Sequence, residues 1–300
     1  MNWSVYNQSL VRRGEILIGF DVIDNWDKEL KQMNKDKVGE PFHYPNTFLL
    51  LLGYAKVYFH LPYRQTNEGI AQEGMLKTRV PSIPDYTTIS RRINQLNIKV
   101  EGAIITNKES TKDNYIIIAI DSTGIKVTNR GQWIRDRWNI RKGYLKIHIA
   151  VDVKSKKIIS MKVTDEHIHD SKMLPKIVDA IAKSKHVTVD KIIADGASYD
   201  SNAVFKCLAD SGILPCIKVR KNAKLKETNH FLRNILVIYQ KKNGLQSWKY
   251  SVSYGQRWIA ETVFSCIKRT FGEYVYSIKS KNMIQEMMLK ASLYNKLISF

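Results

Sequence analysis

The chain has 300 residues, 44% of them hydrophobic, which is enough for one or two sizeable cores and makes two domains the expectation. Its 48 Lys and Arg against 28 Asp and Glu give a formal net charge of +20, which points to a polyanionic partner. No isolated basic amphipathic helix and no lipidation signal at Met1-Asn2-Trp3 accompanies that charge, so nucleic acid is favoured over a membrane surface.

The first twenty residues carry polar and charged groups throughout, unlike a secretory signal. The longest apolar run, Phe48-Leu-Leu-Leu-Leu-Gly-Tyr-Ala55, is far short of the ~20 residues that span a bilayer. The three cysteines, Cys207, Cys216 and Cys266, are too widely spaced for a disulfide framework and read as core thiols. The expectation is a cytoplasmic, nucleoid-associated protein without a membrane partner.

Residues 1–110 read as a helical, basic DNA-binding region. A short helix is expected near Asp24–Met33, an apolar one over Thr47–His60, and two more at Gln65–Gly74 and Tyr86–Leu96. The last two flank a Pro-containing turn, Val80–Asp85, and so suggest a helix-turn-helix. Asp85 can cap the second helix, leaving Thr87, Thr88, Arg91 and Arg92 for phosphates or base edges. The alternative is an ordinary amphipathic helix with a solvated basic face.

The polar stretch Thr106–Asn114 marks a boundary, after which residues 111–300 read as an α/β domain. Tyr115–Ile120 is almost wholly apolar, as in a strand covered on both faces, and is expected to end at Asp121-Ser-Thr-Gly124. Tyr144–Asp152 and Ile158–Val163 complete a three-strand meander around the polar turn Lys154–Lys157. A helix from Asp170, a strand Lys191–Ala194 stopping at Asp195-Gly196, a helix Ser201–Ala209 ending at Gly212, and a strand Ile213–Val219 follow. This order implies a mixed sheet with helices on both faces.

Between the first two strands, Arg130–Lys146 interleaves six basic residues, Arg135, Arg137 and Arg141 among them, with Trp133 and Trp138. Such a run suits DNA, charge holding phosphates and indoles stacking on bases. A solvated loop with two buried indoles is the alternative.

Near the end, Tyr254, Arg257, Glu261 and Lys268 recur at helical spacing. At ~100° per residue they fall within an arc of about 60°, with Ile259, Val263, Cys266 and Ile267 opposite. One carboxylate is thereby set among three groups able to hold phosphate. Asp121 and Asp195 each end an apolar strand, where open α/β sheets place ligand-binding groups. A strand-end Asp is commonly only a turn residue or a helix cap. Together with Glu261, however, the pair forms an all-oxygen donor set suited to Mg²⁺ or Mn²⁺, and two such ions ~4 Å apart serve phosphoryl transfer. His148, His167, His169 and Asp170 read as sheet packing and helix capping rather than as metal ligands. Asp152 reads as the cap of a hairpin turn.

The chain resembles the insertion-sequence DDE transposases with a ribonuclease-H-like catalytic core. The resemblance is to the group whose third acid lies in a Tyr-x2-Arg-x3-Glu-x6-Lys signature, which Tyr254, Arg257, Glu261 and Lys268 match at every interval. Ile120-Asp121-Ser-Thr-Gly124, Ala194-Asp195-Gly-Ala-Ser-Tyr-Asp200, Lys146-Ile-His148, His169-Asp-Ser171 and Pro84–Arg92 are also similar to family sequence. The run Gly196-Ala-Ser-Tyr-Asp200 is one residue longer than the family's Gly-Ala-Tyr-Asp. The resemblance implies a ribonuclease-H-like fold and cutting of double-stranded DNA at element ends. It also implies joining of the 3′-hydroxyls to target DNA, and a homodimer or higher oligomer on paired ends. Asp121, Asp195 and Glu261 would then be the catalytic ligands of two Mg²⁺ or Mn²⁺ ions, with Tyr254, Arg257 and Lys268 on DNA phosphates. A metal-dependent nuclease of the same fold that does not join, and a derivative that binds without catalysis, are the rival readings. Presence of all three acids argues against the second.

Overall fold

The computed structural model describes residues 24–68, 80–98, 100, 115–127, 143–183, 188–220, 222–226 and 231–299, with residues 3, 4 and 8. The expected boundary at Thr106–Asn114, the basic stretch with Arg135, Arg137, Arg141, Trp133 and Trp138, and most of the expected helix Gln65–Gly74 lie outside them. The chain forms two compact units, Met1–Ile98 with Ser277–Phe300, and Lys99–Tyr276. The last residues thus group with the helical unit. Among the described residues no helix is long and apolar enough to cross a membrane.

The helical unit contains α1 (Trp26–Asn34), α2 (Asn46–Tyr58), a single turn Tyr63–Gln65, α3 (Tyr86–Ile93) and the C-terminal helix Ser280–Leu297. α2 is apolar on nearly every side and is buried from Phe48 to Val57 except at Leu50, so it needs cover all round. The C-terminal helix supplies part of that cover. Gly53 brings the two backbones so close that a Cβ there would meet Leu289 Cδ2 at 3.0 Å. Tyr54 and Ser292 share a hydrogen bond of 2.8 Å across the same seam. Leu289 thus packs on α2 from the C-terminal helix, whose Met287 and Leu293 are also buried.

The α/β unit contains a six-stranded sheet in the order β3-β2-β1-β4-β5, with β6 also paired to β1. Its strands are β1 (Tyr115–Val127), β2 (Tyr144–Asp152), β3 (Ile158–Asp165), β4 (Thr188–Ala194), β5 (Leu214–Ile217) and β6 (Tyr274–Val275). β1, β2 and β3 form the expected antiparallel meander, whereas β4 and β5 run parallel to β1. This is the ribonuclease-H-like mixed sheet expected from the sequence.

Helices α4 (Asp170–Lys183) and α5 (Asn202–Asp210) cover one face, where Ile118, Ile120, Ile192 and Ala194 meet Leu174, Ile177, Phe205 and Leu208. Each such fully buried aliphatic side chain contributes about 1.5–3 kcal/mol. Past α6 (Phe231–Asn243), the other face is covered by α7 (Leu245–Ser251) and the turn that follows it. There Ile117, Ile193 and Cys216 pack against Trp248 and Tyr254. A 3₁₀ turn, Tyr254–Arg257, leads into α8 (Trp258–Phe271).

β1 does not end at Asp121 but continues to Val127, because Ser122, Thr123 and Gly124 pair across β2 with His148, Ile147 and Lys146. What ends at that level is β4, whose last pair with β1 is Ile120↔Ala194. β6 rejoins the same edge only at Lys126 and Val127. Asp121–Ile125 therefore has no strand partner on that edge among the described residues.

Candidate active site

Because Ile120 and Ala194 are paired neighbours, Asp121 and Asp195 follow at the same level on adjacent parallel strands, which are spaced about 4.8 Å apart. Side chains alternate along a strand. Asp121 therefore shares the face of Ile117, and Asp195 shares that of Ile193, the face covered by Trp248 and Tyr254. β4 then turns into a single helical turn, Gly196–Tyr199, which Asp195 caps by accepting from the Ala197 amide at 3.2 Å. The strand-end role as a cap is thus real, and it leaves most of the carboxylate's acceptor capacity unused.

The third acid arrives from α8. Arg257 Nη1 lies 3.4 Å from Asp121 Oδ2, and Arg257 Nη2 donates to Glu261 Oε1 at 2.5 Å. The second oxygen of Asp121 accepts from the Ser122 amide at 2.8 Å. Burial pushes the Asp121 carboxyl above the usual carboxylate range, Glu261 and Asp195 adding to that shift while the Ser122 amide and Arg257 oppose it. The three acids therefore share one electrostatic neighbourhood. Burial works against the charge of Arg257, but Glu261 and Asp121 outweigh it and hold the guanidinium above its ordinary value.

Among the described residues no three His, Cys, Asp or Glu side chains gather into a metal-ligand group. Uncompensated carboxylates repel one another, and Arg257 stands between two of these. A groove of about 560 Å³ opens beside them, lined by Asp121, Ser122, Thr123, Glu261, Lys268 and Arg269 among others. Asp195 is not part of its lining.

The other two signature residues behave differently from the exposed stripe expected. Tyr254 lies on the 3₁₀ turn rather than on α8 and is only 8% exposed. Its ring packs 5.1 Å from that of Trp248, and its hydroxyl donates to the Ala194 carbonyl at 3.2 Å. Burial, and next the Asp195 charge, push that hydroxyl up to about 12. In this structure Tyr254 therefore braces the strand end that carries Asp195. Lys268 Nζ donates to Thr123 Oγ1 at 2.9 Å, tying α8 to β1 two residues beyond Asp121. Of the apolar side of α8, Ile259, Val263 and Ile267 are buried as expected, but Cys266 is exposed. Cys216 is the buried thiol of the three, Cys207 being intermediate.

The opposite face of the sheet holds a network that sequence weighed only as packing and capping. Asp170, at the start of α4, lies 2.7 Å from Lys146 Nζ and 3.3 Å from His148 Nδ1, both on β2. His148 is fully buried and its Nε2 meets Thr164 Oγ1 at 3.0 Å. Burial raises the Asp170 carboxyl, but contacts from His148, Lys146, Ser122 and Ser198 more than reverse this and hold it well below the usual range. Ser122 follows Asp121 and Ser198 lies in the turn capped by Asp195, so the Asp170 carboxylate sits close behind both acid-bearing segments. The segments Lys146-Ile-His148 and His169-Asp-Ser171 were visible in sequence, but their meeting was not. His169 caps the helix start, Nδ1 lying 2.8 Å from Ser171 Oγ, and Asp152 accepts from Ser155 in the hairpin turn as expected.

In the helical unit, Asp85 caps α3 as expected, accepting from the Thr87 and Thr88 amides. The hydroxyls of both threonines also donate to Asp85, so as donors they are engaged in the cap. Arg92 is buried, its guanidinium 4.1 Å over the Phe42 ring and bonded to Asn46 Oδ1 at 2.9 Å. Its guanidinium is used in packing within the helical unit. Arg91 alone of that quartet is an exposed cation.

Residues 112–296 match a family described as "Transposase DDE domain", and residues 11–130 match a second family of the same description. Among solved structures, the chain is similar to the Drosophila P element transposase strand transfer complex, at 13% identity and a TM-score of 0.32, over 64% of this chain and 41% of that one. It is also similar to the piggyBac transposase synaptic complex with hairpin DNA, at 10% identity and a TM-score of 0.40, over 96% and 74%. A simian T-cell lymphotropic virus intasome in complex with PP2A regulatory subunit B56 gamma is matched at 16% identity and a TM-score of 0.26, over 69% and 65%. The chain thus spans about two fifths of the P element transposase and just under two thirds of the intasome chain.

Proposed function

The chain belongs to the DDE transposase domain family, and on that premise we propose that it cuts DNA at the ends of an insertion sequence and joins the 3′-hydroxyls to target DNA. Asp121, Asp195 and Glu261 are its catalytic carboxylates in this reading, and Tyr254, Arg257, Glu261 and Lys268 its group signature. The observation that carries it is the placement of two chain-distant acids, Asp121 and Asp195, at one level of neighbouring strands on one sheet face, with a third acid linked to Asp121 through Arg257.

The donor set fits a hard divalent cation, being all carboxylate oxygen in a charge environment where Asp195 and Glu261 already disfavour ionised Asp121. A pair of Mg²⁺ or Mn²⁺ ions held by Asp121, Asp195 and Glu261 would supply electrostatic stabilisation to the attacking and leaving oxygens. For Asp121 and Glu261 to act as ligands together, Arg257 must turn from them. A DNA phosphate is the group its fork can then grip in bidentate fashion. Lys268 lies along the same groove as a point charge, and Tyr254 fixes the end of β4 from beneath. The +20 charge suits duplex DNA, and pairing of two element ends calls for a dimer or larger assembly acting at the nucleoid.

The test is an oligonucleotide carrying the element's own end, incubated with Mg²⁺ and a target plasmid. Joined products are expected, and Asp121→Asn should abolish them while leaving DNA binding nearly intact. Cleavage without joining would make the protein a nuclease, and binding with neither an inactive derivative.

A further inference from the structure

The helical unit has a second basic surface, built from segments nearly two hundred residues apart. A groove of about 650 Å³ is lined on one side by Tyr63, Tyr86, Thr87, Ser90, Arg91, Asn94 and Gln95, and on the other by Lys279, Lys281 and Asn282. Arg91, Lys279 and Lys281 are exposed. No carboxylate is among the lining residues. Two acids close in sequence are otherwise engaged. Asp85 accepts from Thr87 and Thr88, and Glu286 accepts from Ser277 and pairs with Lys290.

The two sides are locked together. Gln285 Nε2 donates to the carbonyls of Ile93 at 2.9 Å and Leu96 at 2.7 Å, pinning the first turns of the C-terminal helix to the end of α3. The segments carrying Lys279, Lys281 and Asn282 are thereby held beside those of Arg91, Asn94 and Gln95 before binding, so that only side-chain ordering remains as a cost. Cations, amide groups and two tyrosine rings in one preformed groove match a phosphate backbone, which is contacted by such side chains and attracts them over distance.

We propose that this groove is a DNA-backbone contact surface in which the C-terminal segment, through Lys279 and Lys281, completes the face begun by Arg91 on α3. The proposal rests on DNA as the protein's partner but not on its chemistry. Arg92 is buried and the hydroxyls of Thr87 and Thr88 are engaged as donors in the cap, so the cations that meet the backbone in this groove are Arg91, Lys279 and Lys281.

The experiment measures affinity of the full chain for a blunt duplex of arbitrary sequence, without divalent metal, over a range of salt. Each phosphate contact contributes about 0.9 to the slope of log K against log salt. Lys279→Ala/Lys281→Ala should flatten the slope by about 1.8, and adding Arg91→Ala by about 2.7, with unchanged thermal stability. Lys28→Ala/Lys31→Ala, two exposed lysines of α1, serves as the charge control and should leave the slope nearly as it was. An equal flattening in that control would reduce the effect to net charge and overturn the proposal. So would an unchanged slope in the groove variants, including the case where they weaken self-association instead, which would assign the groove to a second copy of the chain. If element-end cleavage fails while the slope behaves as expected, only the catalytic reading falls.

Discussion

Arg257 reaches Asp121 across 136 residues of chain and, with its other nitrogen, holds Glu261 one helical turn on. Its guanidinium is partly solvated and Glu261 more so, so this linkage adds under about 1 kcal/mol to folding. Its consequence is electrostatic. Arg257→Ala leaves two carboxylates facing each other without a cation. In the DNA-free protein it should tighten Mn²⁺ binding several-fold by calorimetric titration, while element-end cleavage falls tenfold or more. Weaker Mn²⁺ binding in the variant would mean that Arg257 organises the carboxylates rather than competing for them.

Tyr254 should separate from its signature partners. Tyr254→Phe keeps the ring against Trp248 and loses only the donation to Ala194, at a cost of about 1 kcal/mol. Tyr254→Ala also opens a cavity beneath β4 and should cost about 3–5 kcal/mol. Neither should change DNA affinity in a filter-binding or anisotropy assay once the protein is folded. A loss of affinity in the Phe variant equal to that of Arg257→Ala would put the hydroxyl on phosphate after all.

Asp170 should give stability a measurable pH dependence. Its carboxyl is held below its ordinary value in the fold. The stability it contributes is therefore complete above the unfolded carboxylate value of about 3.9 and is lost as pH falls from there through the folded value. Asp170→Asn leaves Lys146 without its counter-charge and buried His148 without its carboxylate partner, and should cost about 3 kcal/mol near neutral pH. The gap to the parent protein should close progressively below about pH 4. Denaturant titrations at several pH values measure it, and a gap constant down to strongly acid pH would remove Asp170 as an ionic brace.

The sequence was most legible where local pattern and burial agree. Strands β2 and β4, the Asp85 cap and the Gly212 stop at φ +65° all follow from apolar runs or single-residue backbone preferences. It misled where pairing partners decide. Ser122-Thr-Gly124 has the composition of a turn, yet β2 holds it extended, and the break belongs to β4 instead. Helical spacing placed Tyr254 on the stripe of Arg257 and Glu261. The left-handed residue Ser253 and the 3₁₀ turn rotate it into the sheet, a change of backbone type that periodicity does not carry. Contacts such as Lys268 with Thr123, Asp170 with Lys146, and Gln285 with Ile93 join residues with no local signal linking them.

Gly196 offers the sharpest test of how the second acid is held. Directly after Asp195, its Cα lies so near β5 that a Cβ would fall 1.5 Å from the Lys218 carbonyl oxygen. The segment forms the one-turn helix Gly196–Tyr199, and buried Arg233 anchors its far end by pairing with Asp200 at 2.7 Å. Gly196→Ala must push the turn off β5 and should cost about 3 kcal/mol or more, with Asp195 displaced from Asp121 and cleavage lost in whatever protein remains folded. Two other glycines calibrate the effect. Gly212→Ala meets open space but a left-handed backbone, worth about 1–2 kcal/mol. Gly255→Ala meets open space without that constraint and should be neutral or stabilising by up to about 1 kcal/mol. Chemical denaturation of the three variants gives the ranking, and a Gly196→Ala protein as stable as Gly255→Ala would show that the turn carrying Asp195 does not pack on β5 as described.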